Sequence, residues 1–251
     1  MYLKVNRMFT SLRKYGWIFT VIIAIGGRWE PKLGLAVLFI MAGLTMTSLF
    51  MGRYWCGNIC PHGSLFDSLL PISKNKKIPE FLKSKAAIVG FLLFFMLNIF
   101  RKVSAVASYW GTYDFLDKLG FIFSNTYLVV MIVGGLLAVF ITPRTWCQFC
   151  PMGTMQKASH FIGDKIGLSK KTNKRITIES IDKCISCGKC EKVCPFQLSP
   201  YKNFNENNQF DDIDCIQCST CIANCPLKIL SLENTRQGKE YKKVYEVDQN
   251  Y

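Results

Sequence analysis

Residues 184–195 read CISCGKCEKVCP, and residues 215–226 read CIQCSTCIANCP. Both segments have the spacing C-x2-C-x2-C-x3-C-P, in which three thiolates hold one [4Fe–4S] cube and the fourth reaches a second cube. The two segments together contain eight of the 12 cysteines in the chain. Two such runs in tandem predict a small domain that holds two iron–sulfur cubes.

The exchange of the fourth cysteine predicts which residues share a cube. We assign Cys184, Cys187, Cys190 and Cys225 to cluster 1, and Cys215, Cys218, Cys221 and Cys194 to cluster 2. Zinc is the main alternative, because paired C-x2-C motifs also build zinc ribbons. A tetrahedral zinc ion takes only four ligands, so eight cysteines packed this densely favour the cubes.

The other four cysteines lie in two related motifs. Residues 53–63 read RYWCGNICPHG and residues 144–153 read RTWCQFCPMG, so the copies begin 91 residues apart. Both follow R-x-W-C…C-P-x-G, although three residues separate the cysteines of the first copy and two separate those of the second. Each copy follows a pair of apolar stretches, which predicts an internal duplication.

Two cysteines per motif are too few for a cube each, so we expect the two motifs to come together at the cytoplasmic face of the membrane. The ligands of this cluster 3 would be Cys56, Cys60, Cys147 and Cys150. A third [4Fe–4S] cube is the simplest occupant. The alternatives are a zinc site with the same ligands or two disulfide-capable pairs.

Hydropathy predicts four transmembrane helices. Residues 33–51 carry no charge over 19 positions, about enough to cross a bilayer as a helix, and residues 121–142 form a second clear span. Residues 86–100 and 15–27 are shorter, but basic residues at their ends can snorkel to the membrane surface. The repeat gives each clear span a weaker partner. No small-residue cleavage site follows residues 15–27, so we expect an uncleaved first helix.

Basic residues predict the orientation in the cytoplasmic (inner) membrane. Ten Lys and Arg residues lie before the first span and between spans two and three, against five in the opposite loops. This excess predicts that both termini and all four cysteine motifs are cytoplasmic. The net charge of +14 then requires no nucleic-acid partner. Basic loops suit anionic membrane lipid, and three cubes would subtract about six charges.

The predicted fold has two parts. Residues 1–160 form an all-α, multi-pass membrane domain with a duplicated helix pair and cysteine motif, and residues 161–175 are a charged linker. Residues 176–251 form an α+β bacterial double [4Fe–4S] ferredoxin domain, with a short strand at residues 176–178 and a second in the tail after Ser231.

This constellation resembles the NapH-type family of membrane-bound ferredoxins, the iron–sulfur subunits of quinol dehydrogenase systems. The resemblance rests on four spans, two C-x3-C-P-type motifs at the ends of helix pairs and a C-terminal double ferredoxin, and it covers nearly the whole chain. It implies electron transfer from menaquinol or ubiquinol through iron–sulfur centres to the partner redox subunits of a larger complex. The second motif departs from the family form, because only two residues separate Cys147 and Cys150.

We therefore expect a membrane-bound iron–sulfur subunit that relays electrons between the quinol/quinone pool of the respiratory chain and a partner redox protein. The alternative is an accessory iron–sulfur protein that reduces metal centres or serves the assembly of another respiratory enzyme. A membrane anchor with structural cubes is a third interpretation, and two cubes in series argue against it.

A few other polar residues are weaker candidates. His62 could accept a quinol proton, although a headgroup-level residue that caps the following helix is the simpler interpretation; His160 is no stronger. Asp114 is a second candidate proton acceptor, in an outer loop whose aromatic residues are typical of an interfacial belt. Arg53 and Arg144 each precede a cysteine by three residues. They either raise the potential of a nearby cube or snorkel to lipid phosphates.

Overall fold

The computed structural model describes residues 10–169 and 172–234. Two compact units make up these residues. The helical unit contains residues 10–45 and 59–155, and the cysteine-rich unit contains residues 46–58, 156–169 and 172–234. Residues 46–58, which include Cys56, and residues 156–169 group with the C-terminal part, while Cys60 belongs to the helical unit.

Three helices in the described ranges are long and apolar enough to cross a membrane. A 3₁₀ turn at Pro31–Leu35 leads into α3 (Ala36–Met51), followed by α7 (Lys85–Ala107) and α8 (Asp114–Phe140). No residue of α7 is buried, and Phe100 is 72% exposed, as expected for a helix that lies against lipid. Three of the four predicted spans thus correspond to long apolar helices.

The first predicted span has a different structure. Residues 11–26 form α1 (Ser11–Tyr15), α2 (Trp17–Val21) and a π-helical turn at Ile22–Gly26. At about 1.5 Å per residue these 16 residues are roughly 24 Å long, short of the ~30 Å hydrocarbon core. The structure therefore does not show four full spans, since this segment is short and interrupted at Gly16.

Several shorter helices carry the membrane-edge motifs. These are α4 (Tyr54–Asn58), α5 (Pro61–Ser68) and α9 (Pro151–Lys165), while α6 (Glu80–Lys83) lies between the two motifs, just before α7. Both α5 and α9 begin at the proline that follows the second cysteine of a motif, where a missing N–H costs nothing and the ring pre-sets φ. The two copies of the motif therefore share the same local design.

Helix α5 packs lengthwise on α8 inside the helical unit. His62 lies beside Tyr127, the middle residue of α8, and Phe66 lies against Gly134. A Cβ on Gly134 would collide with the Phe66 ring, so the small residue permits this close approach. The start of α5, and with it Cys60, is therefore held beside the middle of α8.

The cysteine-rich unit is built on a three-stranded antiparallel sheet of order β2-β1-β3. The strands are β1 (Lys174–Ile178), β2 (Gln209–Phe210) and β3 (Leu230–Asn234), and Ile176 pairs with Phe210 on one side and Leu232 on the other. The sheet confirms the predicted strand at residues 176–178. Two short helices, α10 (Lys189–Val193) and α11 (Thr220–Ala223), pack on the sheet through Val193 and Cys221.

Candidate metal centres

The two cysteine runs have the same backbone conformation. Three residues in or just after each run are in the left-handed region, at positions that differ by 31 in every case: Ser186, Gly188 and Gln197 for the first run, and Gln217, Ser219 and Lys228 for the second. Residues other than glycine rarely adopt a positive φ, and those that do cluster at ligand sites. Alternation of right- and left-handed residues turns successive N–H groups inward, which forms an anion-binding concavity.

The cluster 1 cysteines line one cavity. Cys184, Cys187, Cys190 and Cys225 surround it together with Ile178, Tyr201 and Phe204. Cys187 is exposed and the other three thiols are half-buried, so this cavity lies near the surface of its unit. The fourth cysteine of the second run thus lies with the first three of the first run.

The cluster 2 cysteines line a second cavity. Cys194, Cys215, Cys218 and Cys221 surround it with Phe196, Ile216 and Phe210. Cys218 and Cys221 are buried, so this cavity is better shielded from water than the first. Both cavities bring together the four thiols that the spacing predicts for one cube.

The thiols of the second cavity need a positive partner to ionise. Burial raises the pKa of Cys221, and the neighbouring thiols of Cys218, Cys215 and Cys194 raise it further. Burial likewise raises the pKa of Cys215. A thiolate is therefore unfavourable here without a metal, which deprotonates its ligands on binding.

A cube needs a wider arrangement of thiols than a single metal ion does. Among the residues that the structure describes, no three His, Cys, Asp or Glu side chains lie close enough to hold one metal ion. Four thiolates around a four-iron cube stand further apart, because the cluster lies between them. The two cavities, each with four thiols and inward-turned amides, fit that larger group.

The segment with the first membrane-edge motif packs on the loop that begins the second cysteine run. Arg53 Nη1 donates to Asp214 Oδ1 at 2.8 Å, and Gln217 Nε2 donates to the Met51 carbonyl at 3.0 Å. A Cβ on Gly57 would collide with the Ile216 carbonyl oxygen. Cys56 precedes Gly57, so its backbone is held directly against the loop that carries Cys215 and Cys218.

Arg53 has two further contacts in this unit. Its guanidinium lies 4.8 Å from the centre of the Phe196 ring, and its Nη1 is 3.5 Å from the Asp214 carbonyl. The side chain is buried, so it does not reach out to lipid phosphates. Arg53 is the first residue of the first motif and lies beside Phe196, which lines the second cysteine cavity. Its charge therefore acts on that cavity through a low dielectric.

Three of the cluster 3 cysteines belong to the helical unit. Arg144 interacts electrostatically with both Cys147 and Cys60, and Tyr127 interacts with both Cys60 and Cys150. Arg144 Nη1 is 3.9 Å from Cys147 Sγ. Cys60, Cys147 and Cys150 therefore lie around one region near the middle of α8, while Cys56 belongs to the cysteine-rich unit.

Two arginines share one carboxylate next to these thiols. Asp67 accepts from Arg144 Nη2 at 2.6 Å and Nε at 3.2 Å, and from Arg13 Nη2 at 3.2 Å. All three side chains are at most 3% exposed. Burial lowers the pKa of Arg144, but Asp67 and the Cys147 thiol outweigh it and raise that pKa. Two arginines and one aspartate leave a net buried charge of +1.

Sequence reasoning missed Asp67 altogether, and it interpreted Arg13 as a residue that snorkels from a helix end. Asp67 is five residues from His62 in the chain but belongs to no recognisable motif. Its position one turn beyond Gly63 on α5 was the only local signal. A carboxylate in an otherwise uncharged helix beside a span predicts a buried partner.

The weaker candidates lie in ordinary packing environments. His62 is buried, its ring is 4.0 Å from that of Tyr127, and its Nε2 is 3.3 Å from the Tyr127 carbonyl oxygen. Asp114 is the first residue of α8, where the helix dipole stabilises a carboxylate. Nearby, Trp110 packs edge-on to Phe115, as in an aromatic belt.

Comparison with known proteins identifies iron–sulfur domains in both parts of the chain. One family, described as a 4Fe-4S binding domain, matches residues 33–79 and 124–169, and these matches begin 91 residues apart, as the motif copies do. A second family, described as a 4Fe-4S dicluster domain, matches residues 183–230. The chain therefore contains 4Fe–4S ferredoxin-type domains, with the dicluster domain towards the C-terminus.

The relatives are distant. The chain is 26% identical to the uncharacterized protein MJ0750 of Methanocaldococcus jannaschii, over 62% of this chain and 63% of that protein. It is 23% identical to YccM of Escherichia coli, named as a candidate electron transport protein, over 67% of this chain and 48% of YccM. The chain thus spans about half to two thirds of these relatives. No solved structure matches it.

Proposed function

We propose that this protein is a membrane-bound iron–sulfur subunit that relays single electrons between the quinol/quinone pool and a partner redox protein. The observation that carries the proposal is the pair of cavities, each lined by the four cysteines of one predicted cube. The two matches to 4Fe–4S domains and the name of YccM support the electron-transfer part. The three long apolar helices support a membrane location.

A bound cube accepts and releases one electron at a potential set by its surroundings. The protein supplies the rest. Amides of the runs would donate to the sulfurs of a bound cube, and the apolar walls formed by Phe196, Ile216 and Phe210 exclude water from the cluster 2 cavity. The more exposed cluster 1 cavity suits electron exchange with a soluble partner, because a short distance to the surface favours transfer.

We further propose that Cys56, Cys60, Cys147 and Cys150 hold a third cube. Two findings support it. Cys60, Cys147 and Cys150 share one region of the helical unit, and the buried Arg13–Asp67–Arg144 group has a net charge of +1 that a cube with thiolate ligands would neutralise. The contact between residues 51–58, which include Cys56, and the Cys215 loop supports cluster 2 as the next centre in the relay.

Anaerobic purification followed by iron analysis and electron paramagnetic resonance tests the proposal. Three cubes require about 12 iron atoms per chain, and two require about eight. Cys147→Ser should lower the iron content by about four atoms while the signals of clusters 1 and 2 persist. Duroquinol, a tail-less benzoquinol, should reduce at least one centre of the wild-type protein.

The results separate the parts of the proposal. An iron content of about eight in both proteins would contradict the third cube but leave the two-cube relay intact. Reduction by dithionite but never by duroquinol would contradict direct exchange with the quinol pool. That second result would favour the accessory role, in which another protein supplies the electrons.

A further inference from the structure

The cysteine-rich unit contains a third, larger cleft that neither cysteine set accounts for. It has a volume of about 260 Å³, close to the lower end of the ~300–1,000 Å³ range of small-molecule sites. We call it the His160 cleft. Its walls come from Gly52 and Arg53, just after the end of α3, from α9, from the start of β1 and from the loop before Cys215. Cys215 itself also lines the cleft.

Charge in the His160 cleft is balanced. Three cationic side chains and three carboxylates line it: Arg53, Lys174 and Arg175, and Asp164, Asp211 and Asp212. Arg175 pairs with Asp211 at 2.9 Å, and Arg53 pairs with Asp214 at 2.8 Å. Because two of the three cations, Arg53 and Arg175, already have carboxylate partners, the cleft favours a neutral polar ligand over a phosphate or a metal cation.

A chain of side-chain amides leads from His160 to the cluster 2 loop. His160 Nε2 is 3.3 Å from Asn173 Nδ2, and Asn173 Oδ1 accepts from Gln217 Nε2 at 2.8 Å. Gln217 lies between Cys215 and Cys218 in the chain and has a positive φ of 52°. The first contact is long for a hydrogen bond, so a ligand hydroxyl can replace Asn173 at the imidazole.

The position of the cleft suits an amphiphile. The long apolar helix α3 ends at Met51, and the next residue, Gly52, lines the cleft. Phe161 and Ile213 also line it, and they are 57% and 53% exposed. A polar floor with an apolar rim at the end of a candidate membrane span fits a ring with two polar oxygens and a lipid tail.

We propose that the His160 cleft binds the headgroup of a quinol, and this proposal rests on the proposed exchange with the quinol pool. Oxidation breaks two O–H bonds of the quinol and yields a quinone, two protons and two electrons. One proton passes to the His160 imidazole and the other to water at the open mouth. The two electrons would pass one at a time to the cube that Cys215 would help to hold, and Cys215 lines the same cleft.

The surroundings of His160 support its role as the acceptor of a quinol proton. Burial lowers the pKa of this histidine, and the nearby Asp164 carboxylate opposes that effect. The neutral imidazole can therefore accept a hydrogen bond from a quinol hydroxyl.

Binding of duroquinone, the oxidised form of the same probe, tests the cleft without any electron transfer. Its methyl resonances are followed by saturation-transfer difference NMR on the full-length protein in detergent. His160→Ala removes the polar partner, and Ile213→Trp fills the mouth from an exposed position. Ile166→Ala changes an exposed residue just beyond α9 that does not line the cleft, and it serves as the matched control.

We expect both cleft variants to weaken duroquinone binding at least tenfold, while Ile166→Ala binds like the wild type. Iron content and dithionite-reduced spectra should be unchanged in all three, which shows that the variants are folded. Equal binding in the wild type and both cleft variants, or no binding to the wild type, would overturn the proposal.

Reduction of the clusters by duroquinol separates this proposal from the proposed function. If wild-type clusters are reduced and both cleft variants are reduced at the wild-type rate at every duroquinol concentration, the relay stands and the His160 cleft is not the site. A KM at least tenfold higher in both variants supports the cleft.

Discussion

Asp67 holds two arginines, and one of them, Arg144, touches a thiol. Arg144 and Arg13 both donate to this carboxylate, but the Arg144 guanidinium also lies 3.9 Å from Cys147 Sγ. The two arginines therefore make it possible to separate the structural role of a buried ion pair from an electrostatic role at the proposed third cube.

Arg144→Gln should lower the reduction potential of that cube, because a nearby positive charge favours the reduced, more negative state. Arg13→Gln is the matched control, since it removes a similar bond to Asp67 and leaves the contact between Arg144 and Cys147 in place. Each change removes one partner of a buried pair and should cost on the order of 3 kcal/mol of stability. Redox titration followed by paramagnetic resonance, together with thermal unfolding, measures both effects. Equal shifts of potential in the two variants would contradict the electrostatic role.

The fourth cysteine of each run offers a second test at the scale of residues. Cys225→Ser should alter the spectrum of the centre held by Cys184, Cys187 and Cys190, although Cys225 belongs to the other run. Cys194→Ser should alter the other centre. The two variants are controls for each other. A change confined to the run that carries the substitution would refute the crossed assignment.

At the scale of elements, the contact between α4 and the Cys215 loop depends on a glycine. Gly57 lies so close to the Ile216 carbonyl that a methyl group cannot be added without movement of one backbone. The Arg53–Asp214 pair and the Gln217–Met51 hydrogen bond fasten the same two segments on either side. Helix α4, which carries Cys56, is thereby held against the loop that carries Cys215 and Cys218.

Gly57→Ala should push α4 away from that loop and destabilise the protein by about 1–3 kcal/mol, the usual cost of overpacking. It should also broaden or shift the cluster 2 signal, because the loop that carries Cys215 and Cys218 must move. Gly90→Ala on α7 is the control, since a Cβ there meets nothing within 4 Å. That change should alter stability by no more than about 1 kcal/mol. A Gly57→Ala protein with wild-type spectra and stability would contradict the close contact.

For the whole molecule, the number and direction of the membrane crossings are predicted by helix length and by basic residues. Three helices have the required length and composition, while residues 11–26 form a shorter, interrupted run. The proposed orientation places the loop before α7 in the cytoplasm and the loop between α7 and α8 outside.

Reporter fusions should decide the topology. Green fluorescent protein fused after Pro79 should fluoresce, and alkaline phosphatase fused after Thr112 should be active, since the phosphatase needs an oxidising compartment. Phosphatase fused after Trp29 should be active if residues 11–26 cross the membrane. Exchange of the two reporters at each site provides the control. Active phosphatase after Pro79 would invert the proposed orientation, and an inactive fusion after Trp29 would leave three spans.

The sequence by itself determined the features that depend on local spacing. Three cysteines within seven residues can turn toward one cluster, because a short loop positions their thiols. The spacing of each run therefore predicts its ligands directly. Long uncharged segments such as residues 33–51 predict long apolar helices, because hydropathy adds up along consecutive residues. The strand at residues 176–178 was also predictable, because it lies between a charged linker and the first run.

Only the tertiary structure decided how distant residues meet. Asp67 joins Arg13 and Arg144, which are 54 and 77 residues away, and Arg53 meets Asp214 across 161 residues. The His160 cleft likewise combines one helix end, a second helix, a strand and a loop. Local patterns cannot predict such contacts, because their energy comes from burial and pairing that exist only after the chain has folded.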